Sequence, residues 1–395
     1  MKKNLKKQLI IGITPIIIPT FLISASCSSM NNEEKNNYLN KKASFIDLIS
    51  KSSISNKSFY IKQFEDMSNN ENKESWSNLN SKIDNLIINI NKEINKKLLL
   101  DKTPPPHVNQ TINNDYIIEY DSSNNFYSSL EGLSGETLRN KLFELQLQNR
   151  TKTPGYNNLF ETYKDAFVDK YYENDGSVLD LYTEIPNGKD KYNFYHGKFR
   201  DAGNEEGKGM NREHIIAQSW FGKRAGKEMR NDAHHVWPSD KQINSIHGNI
   251  PFGQTKNGRI VSSNGTKIGI GIEDNEQVFE VIDEFKGDVG RAILYFVLTY
   301  RDRAIAKNHP GQRVFVLKNG KYNIRTNFLK TYLNWHKLDG ISQFDIDRNN
   351  GIYKHQQNRN PFTDYPELIK VYFENDNNFV FKNKGIAVKI IKNNK

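Results

Sequence analysis

The chain has 395 residues, enough to bury a sizeable core in one large domain or two ordinary ones. Its formal charge of +10 and pI near 9.2 favour an anionic partner such as nucleic acid or an acidic membrane surface. A single cysteine, Cys27, excludes a disulfide framework within the chain.

The first segment, "MKKNLKKQLIIGITPIIIPTFLISASC", has a basic start, an apolar stretch from Leu9 to Ile23 broken by Pro15 and Pro19, and small residues before Cys27. The stretch is short for a permanent span, so residues 1–26 read as a signal peptide. Small residues followed by a lone cysteine resemble the bacterial lipoprotein arrangement, which implies lipidation of Cys27 and anchoring on the outer face of the cell membrane. Anchoring would leave no thiol for catalysis. Cleavage would also remove Lys2, Lys3, Lys6 and Lys7, leaving about +6 on the mature chain.

Residues 27–115 read as a lipid-anchored tether. Residues 28 to 75 are rich in Asn, Lys, Ser and Glu, a composition that buries little. Between residues 76 and 100, Trp76, Leu79, Ile83, Leu86, Ile87, Ile90, Ile94 and Leu98 recur at three- and four-residue steps, which predicts one long amphipathic helix. The string "TPPPH" ends it, and a domain boundary is expected near residue 115.

Residues 116–378 read as a second, larger domain, and residues 379–395 as a basic tail. Ser134 caps a helix with Leu138, Leu142 and Leu145 on one face. A second helix is expected over "YNNLFETYKDAFVDKYY", a buried one over "GDVGRAILYFVLTYRDR", and two more over "NFLKTYLNWHKL" and "FDIDRNNGIYKHQQNRN". Residues 190–285 are richer in Gly and shorter in period, so strands and loops belong there. The fold class is α+β, helix-dominant.

The chemistry centres on "NREHIIAQSWFG", where Glu213 and His214 are adjacent, and "DAHHVWPSDKQINSIHGNIPFG", where "PSDKQIN" reads as a loop entering a helix that carries Asn244. Glutamate and asparagine oxygens suit a hard cation such as Mg²⁺, with Ca²⁺ or Mn²⁺ as substitutes, and suit zinc poorly. An imidazole free of the metal, with a pKa near ~6.5, can take a proton from water.

Together with "FYSSLEGLSGETLRNKL", "FKGDVGRAILYFVLTYRDR" and "NRNPFTDYPELI", these strings closely resemble the bacterial endonuclease I family, secreted nucleases of the ββα-metal or His-Me finger group. The resemblance runs from about Phe126 to Phe373. It implies a ββα-metal core among helices, His214 as general base, Glu213 and Asn244 as Mg²⁺ ligands, and products with 5′ phosphates. The family places an arginine on the phosphate; Arg230 is the first candidate and Arg224 the second. Ala217 stands where the family usually has Pro, and His247 lies near a position that is commonly Arg.

Around this centre, His234, His235 and Asp232 are expected to brace the ligands from behind, and Arg212, Arg224, His247 and Arg359 to meet substrate phosphates. Trp220 and Phe221 read as core. The expected activity is a largely sequence-nonspecific, Mg²⁺-dependent endonuclease acting on DNA and possibly RNA. Two other classes compete: a catalytically silent nucleic-acid receptor or adhesin on the same fold, and a phosphodiesterase for small substrates.

Overall fold

The computed structural model describes residues 32–51, 57–71, 74–101, 116–197, 203–222 and 226–393. The expected signal peptide and the expected lipidation site Cys27 lie outside these residues, as does Arg224. The chain divides at Leu100 and Asp101 into two compact units.

The N-terminal unit contains helices α1 (Asn32–Lys51), α2 (Lys57–Asn69) and α3 (Trp76–Asp101). The expected long helix is present as α3. The expected loose stretch before it is helical, because Tyr38, Phe45, Ile49, Tyr60, Phe64 and Met67 recur on one face of each helix and pack on Leu79, Ile83, Leu86 and Ile90. Phe45 and Phe64 stack with ring centroids 4.4 Å apart. Few apolar residues suffice when they are large and spaced by helical turns.

In the second unit, β1 (Tyr116–Asp121) is followed by α4 (Gly135–Asn149) and α5 (Leu159–Ala166). Ser134 is the N-cap residue of α4, but its side chain makes no capping hydrogen bond; Leu138, Leu142 and Leu145 are buried as expected. Helix α5 stops at Ala166, short of the expected end, because the next residues turn to make a bridge between Val168 and Val178.

Then come β2 (Met210–His214), α6 (Gln218–Phe221), α7 (Lys227–Asn231), β3 (Val236–Asp240) and α8 (Lys241–His247). A small antiparallel sheet follows, β4 (Arg259–Ile260), β5 (Lys267–Ile270) and β6 (Gln277–Glu280). The chain continues through α9 (Lys286–Tyr300), α10 (His309–Val314), the hairpin β7 (Phe315–Lys318) and β8 (Lys321–Ile324), and α11 (Thr326–Leu338). It ends with α12 (Gln343–Gln356), α13 (Pro361–Asp364), α14 (Leu368–Phe373) and β9 (Ile386–Lys392).

These elements make an α+β unit. Helix α9 is buried along its whole length, which explains its run of small and apolar residues. At Gly287 a Cβ would come within 1.8 Å of the Asp339 carbonyl oxygen, so the residue lets the end of α11 close on α9. Gly351 plays the same part where α12 crosses α5: a Cβ there would sit 2.7 Å from the Asp165 carbonyl oxygen. The segment expected as a tail supplies β9, which pairs antiparallel with β1 in the register Tyr116 to Lys392. Asp364, Tyr127 and Tyr365 are buried under this pair; Asp364 accepts from the Ala387 amide and the Tyr127 hydroxyl.

Candidate active site

Strands β2 and β3 pair antiparallel, with Glu213 opposite Trp237 and His214 opposite Val236, and the chain passes from β3 directly into α8. The string expected as a loop is therefore strand up to Asp240. Two bonds fix this join: the Asp240 carboxylate accepts from the Ile243 amide at 2.9 Å, capping α8, and Asp180 accepts from the Asp240 amide at 3.0 Å. Asn244 on α8 donates from Nδ2 to the Arg212 carbonyl at 3.1 Å, which ties helix to strand. Its amide nitrogen is thereby engaged and its Oδ1 is the atom left for a ligand.

Successive residues of an extended strand project to opposite faces, and β2 divides its chemistry that way. Glu213 faces the interior, 2 % exposed, where Oε2 accepts from the Tyr182 hydroxyl at 2.8 Å and lies 3.1 Å from His247 Nδ1. His247 is itself 1 % exposed, its Nε2 is 2.8 Å from the Ile250 carbonyl, and its ring packs on Phe252 and Phe279. Two aromatic residues with polar tips therefore hold one oxygen of Glu213, and among the described residues no bond is made to the other.

His214 and Arg212 share the opposite face. The His214 ring lies parallel to Tyr156 at 6.1 Å and edge-on to His235 at 6.0 Å. Its Nε2 is 3.1 Å from the Arg230 carbonyl, an atom that can only accept, so Nε2 carries the hydrogen and Nδ1 the lone pair. Burial first, then the neighbouring His235 ring, push its pKa down to about 3. The ring is neutral across the physiological range.

Two guanidinium groups meet the same tyrosine: Arg212 lies 3.9 Å and Arg230 4.1 Å from the Tyr156 ring centre, with Arg212 also 4.4 Å from Phe160. Among the described residues neither pairs with a carboxylate, in contrast to Arg150, Arg291, Arg348 and Arg359, which all do. The result is a neutral imidazole beside two uncompensated cations, a setting for a phosphate.

A model of the Endonuclease I family matches residues 134–367, which hold β2, β3, α8 and each of the side chains just described. The chain belongs to the endonuclease I family. The extracellular ribonuclease of Bacillus amyloliquefaciens is similar at 30 % identity over 245 residues, 61 % of this chain and 75 % of the relative. The extracellular ribonuclease of Bacillus subtilis (strain 168) is similar at 28 % over 255 residues, 63 % of this chain and 78 % of the relative. A nuclease is thus the class of enzyme, and nucleic acid its substrate.

The fold of this endonuclease I member brings together Arg212, Glu213, His214, Arg230, Asn244 and His247, and corrects the expected role of some. His247 does not face solvent to meet a phosphate; it holds Glu213. Arg359 is fully buried, with Nε 2.7 Å and Nη2 2.8 Å from the two oxygens of Asp364, so it staples the turn before α13.

Of the three residues expected behind the site, only His235 touches it: its Nε2 lies 2.6 Å from the Met229 carbonyl, and its ring backs His214. Asp232 is buried and accepts from Tyr295 and Tyr300, both at 2.8 Å, and from Gln356; His234 packs on Tyr295. Both belong to the interior. Trp220 and Phe221 are core residues. Sequence reasoning missed Tyr156 and Tyr182, since a tyrosine 58 or 31 residues from His214 or Glu213 carries no local sign of its partner.

Proposed function

We propose that this chain is a His-Me finger endonuclease, a ββα-metal enzyme that hydrolyses phosphodiester bonds of DNA and RNA with little sequence preference. The observation that carries the reading is the His214 ring, neutral, with Nε2 committed to the Arg230 carbonyl and Nδ1 bearing the lone pair, next to Arg212 and Arg230. Nδ1 takes a proton from the attacking water. The two guanidiniums bind the phosphate oxygens on which charge develops. Without a base-reading element, binding rests on phosphate contacts and falls steeply with salt.

Next to this base in the chain, Glu213 and Asn244 fit a divalent cation. Glu213 is held by Tyr182 and His247 through one oxygen, and Asn244 has its nitrogen engaged, so the remaining donors are hard oxygens suited to Mg²⁺. When bound, that cation supplies positive charge to the scissile phosphate and leaving oxygen. The relatives are named extracellular ribonucleases, which supports counting RNA among the substrates. We place the enzyme on the outer face of the membrane, tethered by lipid at Cys27, with the catalytic domain beginning near residue 116.

The test is cleavage of plasmid DNA and of labelled RNA by the full chain in detergent, with Mg²⁺, with EDTA, and with His214→Ala. Cleavage should need the metal and fall by about 10²–10⁴ in the variant at unchanged circular dichroism. A folded protein that binds nucleic acid yet cuts neither substrate under any divalent ion would instead be a receptor.

A further inference from the structure

A second group of acids lies apart from Glu213. Asp169, Glu173 and Glu184 each bring a carboxylate oxygen within 4.8 Å of the others. Asp169 and Glu184 are each 1 % exposed, and Glu173 is half-buried. The turn that begins at Asp169 folds back on itself: Asp169 accepts from the amides of Tyr171 and Tyr172, and Glu173 Oε1 accepts from the Asp190 amide.

Glu184 is the informative member. Both of its oxygens are buried and accept no hydrogen bond, and Glu173 Oε2 is in the same state. Among the described residues no lysine or arginine pairs with any of the three. A buried carboxylate without donor or counter-charge costs several kcal/mol, so a cluster that has none among the described residues favours taking up a proton or a cation. Burial, then the carboxylates of Asp190, Asp169 and Glu173, push Glu184 up to about 10, which is the proton-bound alternative.

We propose that Asp169, Glu173 and Glu184 hold a calcium ion, separate from the Glu213 centre, that pins the turn carrying Tyr182. Two oxygens on one calcium, each at roughly 2.4 Å, lie at most about 4.8 Å apart, and the three acids meet that limit. An all-oxygen set without His or Cys disfavours zinc. Three carboxylates, two of them buried, favour calcium over Mg²⁺, which keeps its waters and uses one or two protein carboxylates.

Position gives the ion its consequence. Glu184 ends the turn in which Asp180 accepts from the Asp240 amide and the Thr183 hydroxyl, and Tyr182 donates to Glu213. A cation on Glu184 fixes this turn, and through Tyr182 and Asp240 it sets both Glu213 and the start of α8.

The test uses the full chain purified in detergent and stripped with EDTA. Calcium bound per chain is counted by isothermal titration calorimetry, and melting is followed by circular dichroism with CaCl₂ or MgCl₂. Wild type should bind one more calcium than Glu184→Gln. At a hundredfold excess over Kd, calcium should raise the melting temperature by about 3–5 °C in Glu213→Gln, and should stabilise Glu184→Gln less than wild type by a similar amount.

Glutamine is isosteric with the protonated acid, so the calcium-free melting temperature of Glu184→Gln should match wild type. If that variant fails to fold, Glu173→Gln decides by the same readouts. Calcium binding and melting in these variants equal to wild type would overturn the site, and stabilisation by MgCl₂ but not CaCl₂ would overturn the choice of ion.

Discussion

Replacing Tyr156 by alanine removes the surface shared by Arg212, Arg230 and His214. The two guanidinium contacts, at 3.9 and 4.1 Å from the ring centre, are partly buried, so each is worth about 1 kcal/mol. If that energy holds the cations where the phosphate sits, its loss of about 2 kcal/mol costs roughly 30-fold in kcat/KM. Tyr156→Phe keeps the ring and should stay within about threefold of wild type. The assay is initial-rate cleavage of a fluorescent duplex at fixed Mg²⁺ and two salt concentrations, with folding checked by circular dichroism. Equal rates for Tyr156→Ala and wild type would show that the ring is packing only, and that the arginines are placed by something else.

Three other outcomes follow from the same geometry. Arg359→Leu leaves the Asp364 carboxylate buried without its cation, which should cost about 3–5 kcal/mol and lower the melting temperature by about 5–8 °C, with the salt dependence of cleavage unchanged; a shallower salt slope at unchanged melting temperature would restore a phosphate role. Tyr182→Phe removes one of the two groups that hold Glu213, and should raise the Mg²⁺ concentration for half-maximal cleavage about 10–100-fold; an unchanged requirement would detach Tyr182 from the ion.

Burial pushes both His234 and His235 down to about 4, so the folded state holds fewer protons than the unfolded one between pH 4 and 6.5. Their stabilising effect is complete above pH 6.5 and is lost as pH falls, at about 2 kcal/mol per histidine between pH 7 and 5. Urea unfolding at the two pH values measures it, and a flat or rising stability towards pH 5 would refute the assignment.

The sequence by itself determined the local parts. The period of two in "NREH" puts Glu213 and His214 on opposite faces of any strand, and their contacts are divided that way. The apolar period of α3 and the unbroken small and apolar run of α9 were legible because each is written in consecutive residues, one as a face and the other as a helix buried all round. A helix start within "PSDKQIN" was legible from residue type, since a cap bonds to an amide three residues on, while the structure shows that the cap is Asp240.

What the tertiary structure decided were the partners. Arg212 and Arg359 are the same side chain in the sequence, yet one meets a tyrosine and no acid while the other is sealed against Asp364. His247 and Tyr182 find Glu213 across 34 and 31 residues, and β9 finds β1 across the whole unit. Local propensity is set by bonds within a few residues, but charge and proton states here depend on which distant group is buried alongside. That choice is made only when the core closes.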